Sequence, residues 1–426
     1  MAQRRAEQRD EQPVGPGVGP GAGPRVGLFG RIGAGNLGND ASLEAVLQYL
    51  RAEHPEAVLD AMFTGPEPVG ERYGLPVTRL NWLRPVGRRR SRVLHVVTTL
   101  ARIGIGAVAD AIWTAAWVRR HDVVILPGMG LLETDLAQRP WEFPYSLFLV
   151  SVTGRLFRTK VAYVSVGATI AKQPVTGRLL TIACRLAHYR SFRDESSLDA
   201  ARRMRMARRD DPVYPDLVFA LRTPPQPEPT GVVAVGVMGY DGTPADRYRA
   251  DEVRAEYVGK MTQLVRSLVD DGRHVRLLIG DFNDEPVVQE ILADARSRWT
   301  GPGEPPVIFE PLSTVDDVMN QLSQADIVVG TRFHTVLVSL MLAKPTVAIA
   351  YGRKHLELMN QMGVGSWVQN IAELDAGLLE KQVAALETDR EQISRTLAER
   401  RAANWQRLDE QFARLSAVLF GSARVS

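Results

Sequence analysis

The sequence predicts an α/β protein of two doubly wound domains facing a central cleft, and three observations predict it. At 426 residues the chain exceeds the size at which one hydrophobic core stops growing, so two domains are expected. From Arg25 onward short β-branched runs alternate with helical stretches, the pattern of a parallel sheet covered on both faces. The alternation breaks at LRTPPQPEPTG (221–231), where four prolines in eleven residues forbid a regular element, and then restarts. The expected division is a Gly/Pro-rich disordered tail over 1–24, a first domain over 25–221, a linker over 222–231, a second domain over 232–375 and helices over 376–426.

In the first domain RVGLFG (25–30) reads as a strand. DASLEAVLQYLRAEH (40–54) reads as a helix with Leu43, Val46, Leu47 and Leu50 on one stripe, and AVLDAMF (57–63) as a second strand. A long apolar helix follows over 93–118. Beyond it come the strand DVVILPG, the aromatic WEFPYSLFLVSVTGRLF, the strand KVAYVSVG, the helix TGRLLTIACRLAHY and a short strand at YRSFRDE, after which Asp194, Glu195 and Ser196 open a helix. The second domain repeats the scheme. Strands are expected at VVAVGVMGY, HVRLLIG, PVIFEP, DIVVG and PTVAIAY, and helices over 245–271, 285–298, TVDDVMNQLSQA and FHTVLVSLMLAK. The charged stretch 376–418 closes the chain as one or two helices. Ligands in such sheets bind at the carboxyl ends of the strands, so function is sought in the loops that follow them.

Composition narrows the classes of function. A net charge of +3 with scattered basic residues, and clusters at 88–92 and 202–209 without interleaved aromatics, argue against nucleic acid as a partner. The single cysteine, Cys184, cannot form an internal disulfide and reads as buried packing in a reducing compartment. The tail lacks the apolar core of a signal peptide, and a cytoplasmic location is expected. The stretch 93–118 is long enough to span a bilayer but holds Arg102 and Asp110, each costing about 2.5–3.5 kcal/mol at the bilayer centre, so a packed or surface-lying helix is expected. No histidine or cysteine spacing suggests a metal site.

Gly33, Gly35 and Gly38 form a literal G-x-G-x-x-G after the first strand, yet a dinucleotide reading lacks its acid about 20 positions on, at the end of the second strand. Glu53 and Glu56 precede that strand and Asp60 lies inside it. The turn instead lets backbone approach a ligand, with Asp40 available as a helix cap. Gly128 and Gly130 follow another buried strand, where their amides could form a donor nest. Arg193 ends the YRSF strand, suited to a phosphate or carboxylate unless Asp194 satisfies it. The sharpest stretch is 325–355. A buried strand ends at Gly330, Thr331, Arg332 and His334 sit at a helix amino end, and a second strand delivers Tyr351, Arg353, Lys354 and His355 to the same edge. A guanidinium, an imidazole and a helix amino end at one point suit an anionic substrate that undergoes proton transfer.

In order and content these blocks resemble the polysaccharide pyruvyl transferase family. The resemblance runs from about residue 25 to 368 through GRIGAGNLGNDASL, LPGMGLLETD, RDESSLDAAR, YPDLVFAL and VVGTRFHTVLVSLMLAKPTVAIAYGRKH. It implies two Rossmann-like domains arranged as in GT-B glycosyltransferases, and transfer of a pyruvyl group from phosphoenolpyruvate onto a sugar diol as a ketal. The family's arginine and histidine one residue apart, which bind phosphoenolpyruvate, fall on Arg332 and His334. A further donor-site arginine corresponds to Arg193 and the lysine after the final strand to Lys354, with Thr331 beside them. Gly35, Asn36, Gly38, Asp40, Gly128 and Gly130 become the acceptor-side wall of the cleft. The family often has Tyr-Asp-Pro-Lys where this chain has Tyr351-Gly352-Arg353-Lys354, which leaves the local turn and the acceptor choice open. Phosphoenolpyruvate would be a co-substrate, with no cofactor. The acceptor would be a saccharide, free or carried on a lipid or nucleotide, and a membrane-bound acceptor would give the 93–118 helix a second use as a surface contact. Two rivals are a nucleotide-sugar glycosyltransferase using Asp281, Phe282, Asp284 and Glu285, and a non-catalytic relative. Oligomeric state is not legible.

Overall fold

A computed structural model describes residues 23–33, 35–80, 92–134, 139–243 and 245–421. The tail expected over 1–24 lies outside the described residues up to residue 22, as does the 88–92 cluster except for Arg92. The first sheet is built by β1 (Arg25–Gly30), α1 (Leu37–Glu53), β2 (Val58–Phe63), α2 (Pro66–Tyr73), β3 (Val77–Arg79), α3 (Arg92–Val118), β4 (Val123–Pro127), α4 (Phe143–Phe157), β5 (Lys160–Val166), α5 (Pro174–Leu186), β6 (Tyr189–Phe192) and α6 (Glu195–Arg203). The second is built by β7 (Val232–Gly236), α7 (Ala250–Asp270), β8 (His274–Leu278), α8 (Glu285–Arg298), β9 (Val307–Phe309), α9 (Val315–Ser323), β10 (Ile327–Gly330), α10 (Phe333–Met341), β11 (Thr346–Ala350), α11 (Arg353–Gln361) and β12 (Val368–Asn370). Helices α12 (Ala376–Thr388) and α13 (Arg390–Leu419) end the chain.

Every pairing within the sheets is parallel, and the two orders are β3-β2-β1-β4-β5-β6 and β12-β11-β10-β7-β8-β9. Counted from its own first strand, each domain therefore runs 3-2-1-4-5-6, the doubly wound order of a Rossmann-like domain. The strands read as near-continuous apolar runs because helices cover both faces, as in β4, which is buried along its whole length. Leu43, Val46, Leu47 and Leu50 of α1 are all buried, so Leu47→Ala would cost about 2–5 kcal/mol.

Three local expectations are corrected. Helix α1 starts at Leu37 and is capped by Asn36, whose side chain accepts from the Gly38 amide. Asp40 thus falls inside the first turn, where it is buried and accepts from the Gly33 amide at 3.1 Å. The helix after β7 begins at Ala250, five residues later than expected. After β11, Arg353, Lys354 and His355 form the first turn of α11, a helix not expected there.

The closing helices divide between the domains. Helix α12 packs on the second. Helix α13 crosses back to the first, where Tyr49 stacks on Phe412 at 4.3 Å and buried Gln411 bridges Ser165 and Ser191 at 2.9 Å each. The Lys160 ammonium meets the carbonyls of Val418 and Leu419 at its carboxyl end, where the helix dipole favours a cation.

Candidate active site

Each strand order reverses between the first and fourth strands, so the loops after β1 and β4 face those after β7 and β10. Between them lies a cleft of about 1080 Å³, and Arg332, His334, Arg193 and Lys354 all line it.

Arg332 is the N-cap residue of α10. Its guanidinium makes a two-pronged pair with Asp284, Nε to Oδ2 at 2.8 Å and Nη2 to Oδ1 at 2.5 Å. Asp284 is fully buried and also accepts the Gly239 amide. Burial alone would lower the Arg332 pKa, but the hydrogen bonds and charge of Asp284 outweigh it and hold the proton more firmly than usual. Nη1 has no protein partner among the described residues, and the side chain is 26% exposed toward the cleft.

His334 follows in the first turn of α10. Its Nε2 is shut off from solvent with no hydrogen-bond partner. Burial, then the charges of Arg193 and Lys354 and the neighbouring His355, push its pKa well below the ordinary value, so the imidazole is neutral. The first domain covers it with bare backbone: a Cβ at Gly38 would stand 2.0 Å from its Cγ and Nδ1. Glycine at 38 is therefore set by this close approach, a requirement that the G-x-G-x-x-G spacing does not disclose.

Arg193 is not the open cation at a strand tip that its position suggests. It is buried, paired with Glu133, and within 3.4 Å of Asp194 and 3.5 Å of Asp216. Burial opposes its charge, but the three carboxylates together raise its pKa. Glu133 also stands 3.8 Å from the Lys354 ammonium. Both cations also lie near the Phe333 ring, whose centroid is 5.0 Å from the Arg193 guanidinium and 5.2 Å from the Lys354 Nζ. Neither Glu133 nor Phe333 stood out in the sequence. Glu133 lies 60 residues from its partner, and Phe333 reads as an ordinary core aromatic.

Thr331 is corrected as a donor contact. It is fully buried, its hydroxyl is 3.0 Å from the Tyr257 hydroxyl, its amide donates to Gly236 and its carbonyl accepts from His355 Nε2. With each polar group already engaged inside the second domain, Thr331 positions the strand end. Burial and the Lys354 charge lower the His355 pKa to about 4.

On the opposite wall Asn36 and Gly130 line the cleft, together with Arg31 and Asn39. Gly35 packs against Phe282, and Asn36 pairs by a backbone bridge with Asp281 of the second domain. Asp40 and Gly128 do not line the cleft. Asp40 is turned to Gly33, and the Gly128 amide donates to Val164 inside the sheet at 2.7 Å, so the expected donor nest is not formed there.

The profile of the family described as Polysaccharide pyruvyl transferase matches residues 36–353. The chain belongs to the polysaccharide pyruvyl transferase family. The matched span opens at Asn36, the cap of α1, and closes at Arg353 in α11, so most of the residues that line the cleft lie within it. As a polysaccharide pyruvyl transferase the protein is a pyruvyltransferase of polysaccharide biosynthesis.

Solved structures share its architecture. UDP-GlcNAc 2-epimerase of Neisseria meningitidis, bound to UDP-GlcNAc, is 12% identical with a TM-score of 0.56, covering 91% of this chain and 98% of its own. UDP-GlcNAc 2-epimerase of Methanocaldococcus jannaschii is 11% identical with a TM-score of 0.55, covering 84% and 91%. A glycosyltransferase of Rickettsia africae is 9% identical with a TM-score of 0.55, covering 94% and 100%. At these identities the likeness is one of fold, two Rossmann-like domains in the GT-B arrangement. Among the described residues no helix is long and apolar enough to cross a membrane, and no group of three or more His, Cys, Asp or Glu could hold a metal ion.

Proposed function

We propose that the protein transfers the pyruvyl group of phosphoenolpyruvate onto two hydroxyls of one saccharide, forming a cyclic ketal and releasing phosphate. The observation that carries this reading is the way α10 and α11 begin. Both open onto the cleft without a side-chain cap and without an acid in the first turn, and both place cations there instead: Arg332 beside His334, and Arg353 with Lys354. A helix amino end is already partially positive, so added cations are unfavourable until an anion arrives. A small phosphate that also bears a carboxylate supplies two such anionic groups.

In this reading Arg332 holds one anionic group through Nη1, and Asp284 fixes the plane of its fork. Lys354 and Arg193 face the other once it displaces the Glu133 carboxylate. The donor's charges offset those of Arg193 and Lys354, raise the proton affinity of His334 and load it as the acid. The methylene carbon of the enol takes a proton and becomes a methyl group, while C2 gains cationic character. One acceptor hydroxyl adds to C2 and loses its proton, and the C2–O bond to phosphate breaks. The second hydroxyl then closes on C2 and loses its proton. A positioned acid is worth about 10²–10⁴ in rate. The acceptor is a saccharide diol whose hydroxyls one carbon can bridge, and no cofactor is required. A reducing, cytoplasmic location suits the buried Cys184 thiol, whose pKa burial pushes up to about 12.

The nucleotide-sugar rival needs a carboxylate for the ribose, and Asp284, offered for that role, is buried against Arg332. Protection against thermal unfolding tests the reading. Phosphoenolpyruvate should raise Tm in proportion to the logarithm of its concentration. A shift with nucleotide sugars and none with phosphoenolpyruvate would favour the rival, and no shift with either would favour a non-catalytic relative.

A further inference from the structure

Helix α3 carries on its outer side an apolar stripe that the cleft does not use, bordered by Trp113, whose indole donates to the Arg79 carbonyl of β3 at 3.2 Å. Ile105, Val108 and Ile112 are 63%, 61% and 66% exposed, and Trp113 is 43% exposed. At about 100° per residue, Ile105, Val108 and Ile112 fall within an arc of about 60°, with Trp113 about 80° to one side of it. The opposite side holds the helix to the domain: Thr114, Trp117 and Val118 are buried, and the Trp117 indole donates to Asp60 at 2.8 Å.

Helix α3 begins well before it meets α4. Tyr145, in the first turn of α4, donates to the carbonyl of Ala107 at 3.2 Å, so fifteen residues of α3 precede its meeting with the start of α4. At 1.5 Å per residue that is about 22 Å of helix. Both helices run antiparallel to the strands from the carboxyl edge of the first sheet, so this length stands on the side of the molecule that carries the cleft loops.

The charge along the segment has one dominant sign. From 92 to 120 it holds Arg92, Arg102, Arg119 and Arg120 against the single acid Asp110, and Arg119 and Arg120 are exposed. In the sequence just before it, outside the described residues, Arg84, Arg88, Arg89 and Arg90 stand without an acid.

We infer that the outer face of α3 is a docking surface for an anionic lipid bilayer, on which the helix lies flat. Pairing with a second copy of this chain would bury the stripe but bring the same cations together from both helices. A bilayer with anionic headgroups accepts Ile105, Val108, Ile112 and Trp113 at the acyl boundary and the exposed Arg119 and Arg120 at the phosphates. Docking in this way sets the cleft edge of the first domain beside the membrane, within reach of an acceptor held on a lipid. That last clause rests on the proposed pyruvyl transfer; the docking itself does not.

The test is co-sedimentation of the full chain with phosphatidylcholine vesicles, with mixed phosphatidylcholine–phosphatidylglycerol vesicles, and with the latter in high salt. The parent protein should pellet with the mixed vesicles, pellet less in high salt, and stay in the supernatant with phosphatidylcholine alone. The double variant Ile105→Ser/Ile112→Ser, whose sites are exposed and whose melting should match the parent, should partition onto the mixed vesicles about tenfold less. Its turnover of a soluble saccharide diol should equal the parent's, which separates failure of docking from failure of the chemistry. Parent protein that never pellets with mixed vesicles, equal pelleting of parent and variant, or a concentration-dependent dimer that the double variant abolishes would each overturn the inference.

Discussion

The helices that meet at the cleft begin in opposite ways on its two sides. On the first-domain side α6 is capped by the Asp194 carboxylate with Glu195 in its first turn, and the Asn36 side chain caps α1. On the second-domain side α10 and α11 have no side-chain cap and begin with Arg332, His334, Arg353 and Lys354. The first wall neutralises its helix ends and its one buried cation, Arg193, with its own acids. The second leaves its helix ends uncapped, and its cations meet acids only through side-chain pairs: Arg332 with Asp284, Arg353 with Glu357 at 3.7 Å, and Lys354 with the first wall's Glu133 at 3.8 Å. The difference is what the proposed reading uses: it seats the anionic donor on the second domain and leaves to the first mostly backbone and hydrogen-bonding groups.

The largest expected effect comes from the buried pair on the second-domain side. Arg332→Ala strands the fully buried Asp284 carboxylate and should destabilise the protein by about 3–5 kcal/mol in denaturant titration, with loss of turnover. Removing both charges with Arg332→Met/Asp284→Leu should recover much of the stability without the activity. If the double variant keeps activity, the donor is not held by Arg332.

His334→Ala should lower kcat by about 10²–10⁴ while leaving Tm near that of the parent, because the ring makes no hydrogen bond through Nε2 and is packed under bare Gly38. Steady-state rates read beside a melting curve check this, and normal kcat in a folded variant would remove His334 from the chemistry.

The pH dependence of stability sharpens the same contrast. The folded-state pKa values of His334 and His355 lie below the ordinary histidine value, so above about pH 6.5 both groups are neutral whether folded or unfolded and contribute nothing. As pH falls from about 6.5 toward 4, the unfolded chain takes up these protons and the folded chain does not. Stability should therefore fall by about 1.4 kcal/mol per pH unit for each group. Urea unfolding at a series of pH values should show the decline, flattened in His355→Asn. Saturating phosphoenolpyruvate should also reduce it by raising the proton affinity of His334.

The smallest effect concerns Glu133, which pairs with both Arg193 and Lys354. Glu133→Gln should tighten phosphoenolpyruvate binding by about 1 kcal/mol, a several-fold fall in Kd by calorimetry. Weaker binding would mean that the first wall's acids orient the cations for the donor instead of competing with it.

Much of the fold was legible because it follows from local pattern. Buried parallel strands read as apolar runs, helices carry a 3.6-residue stripe, and the prolines after Leu221 interrupt both. The Arg332–His334 pair was legible for the same reason, standing directly after a β-branched run that ends in glycine. What was not legible depends on partners remote in sequence. Asp284 looked available for a ribose until the fold placed it 48 residues back on Arg332. Thr331 looked like a ligand contact until Tyr257, 74 residues away, took its hydroxyl. The return of α13 to the first domain, with Gln411 reaching Ser165 across 246 residues, has no local signature.

The central claim is that the cations at the amino ends of α10 and α11 grip a three-carbon phosphate and pass its pyruvyl group to a sugar. Mass spectrometry of a small saccharide diol panel incubated with the protein and phosphoenolpyruvate tests it most directly, with released phosphate measured in parallel. The account predicts one ketal-linked pyruvyl group on an acceptor for each phosphate released, and neither product with His334→Ala. Phosphate release without a pyruvylated saccharide, or a glycosylated product formed from a nucleotide sugar under the same conditions, would contradict it.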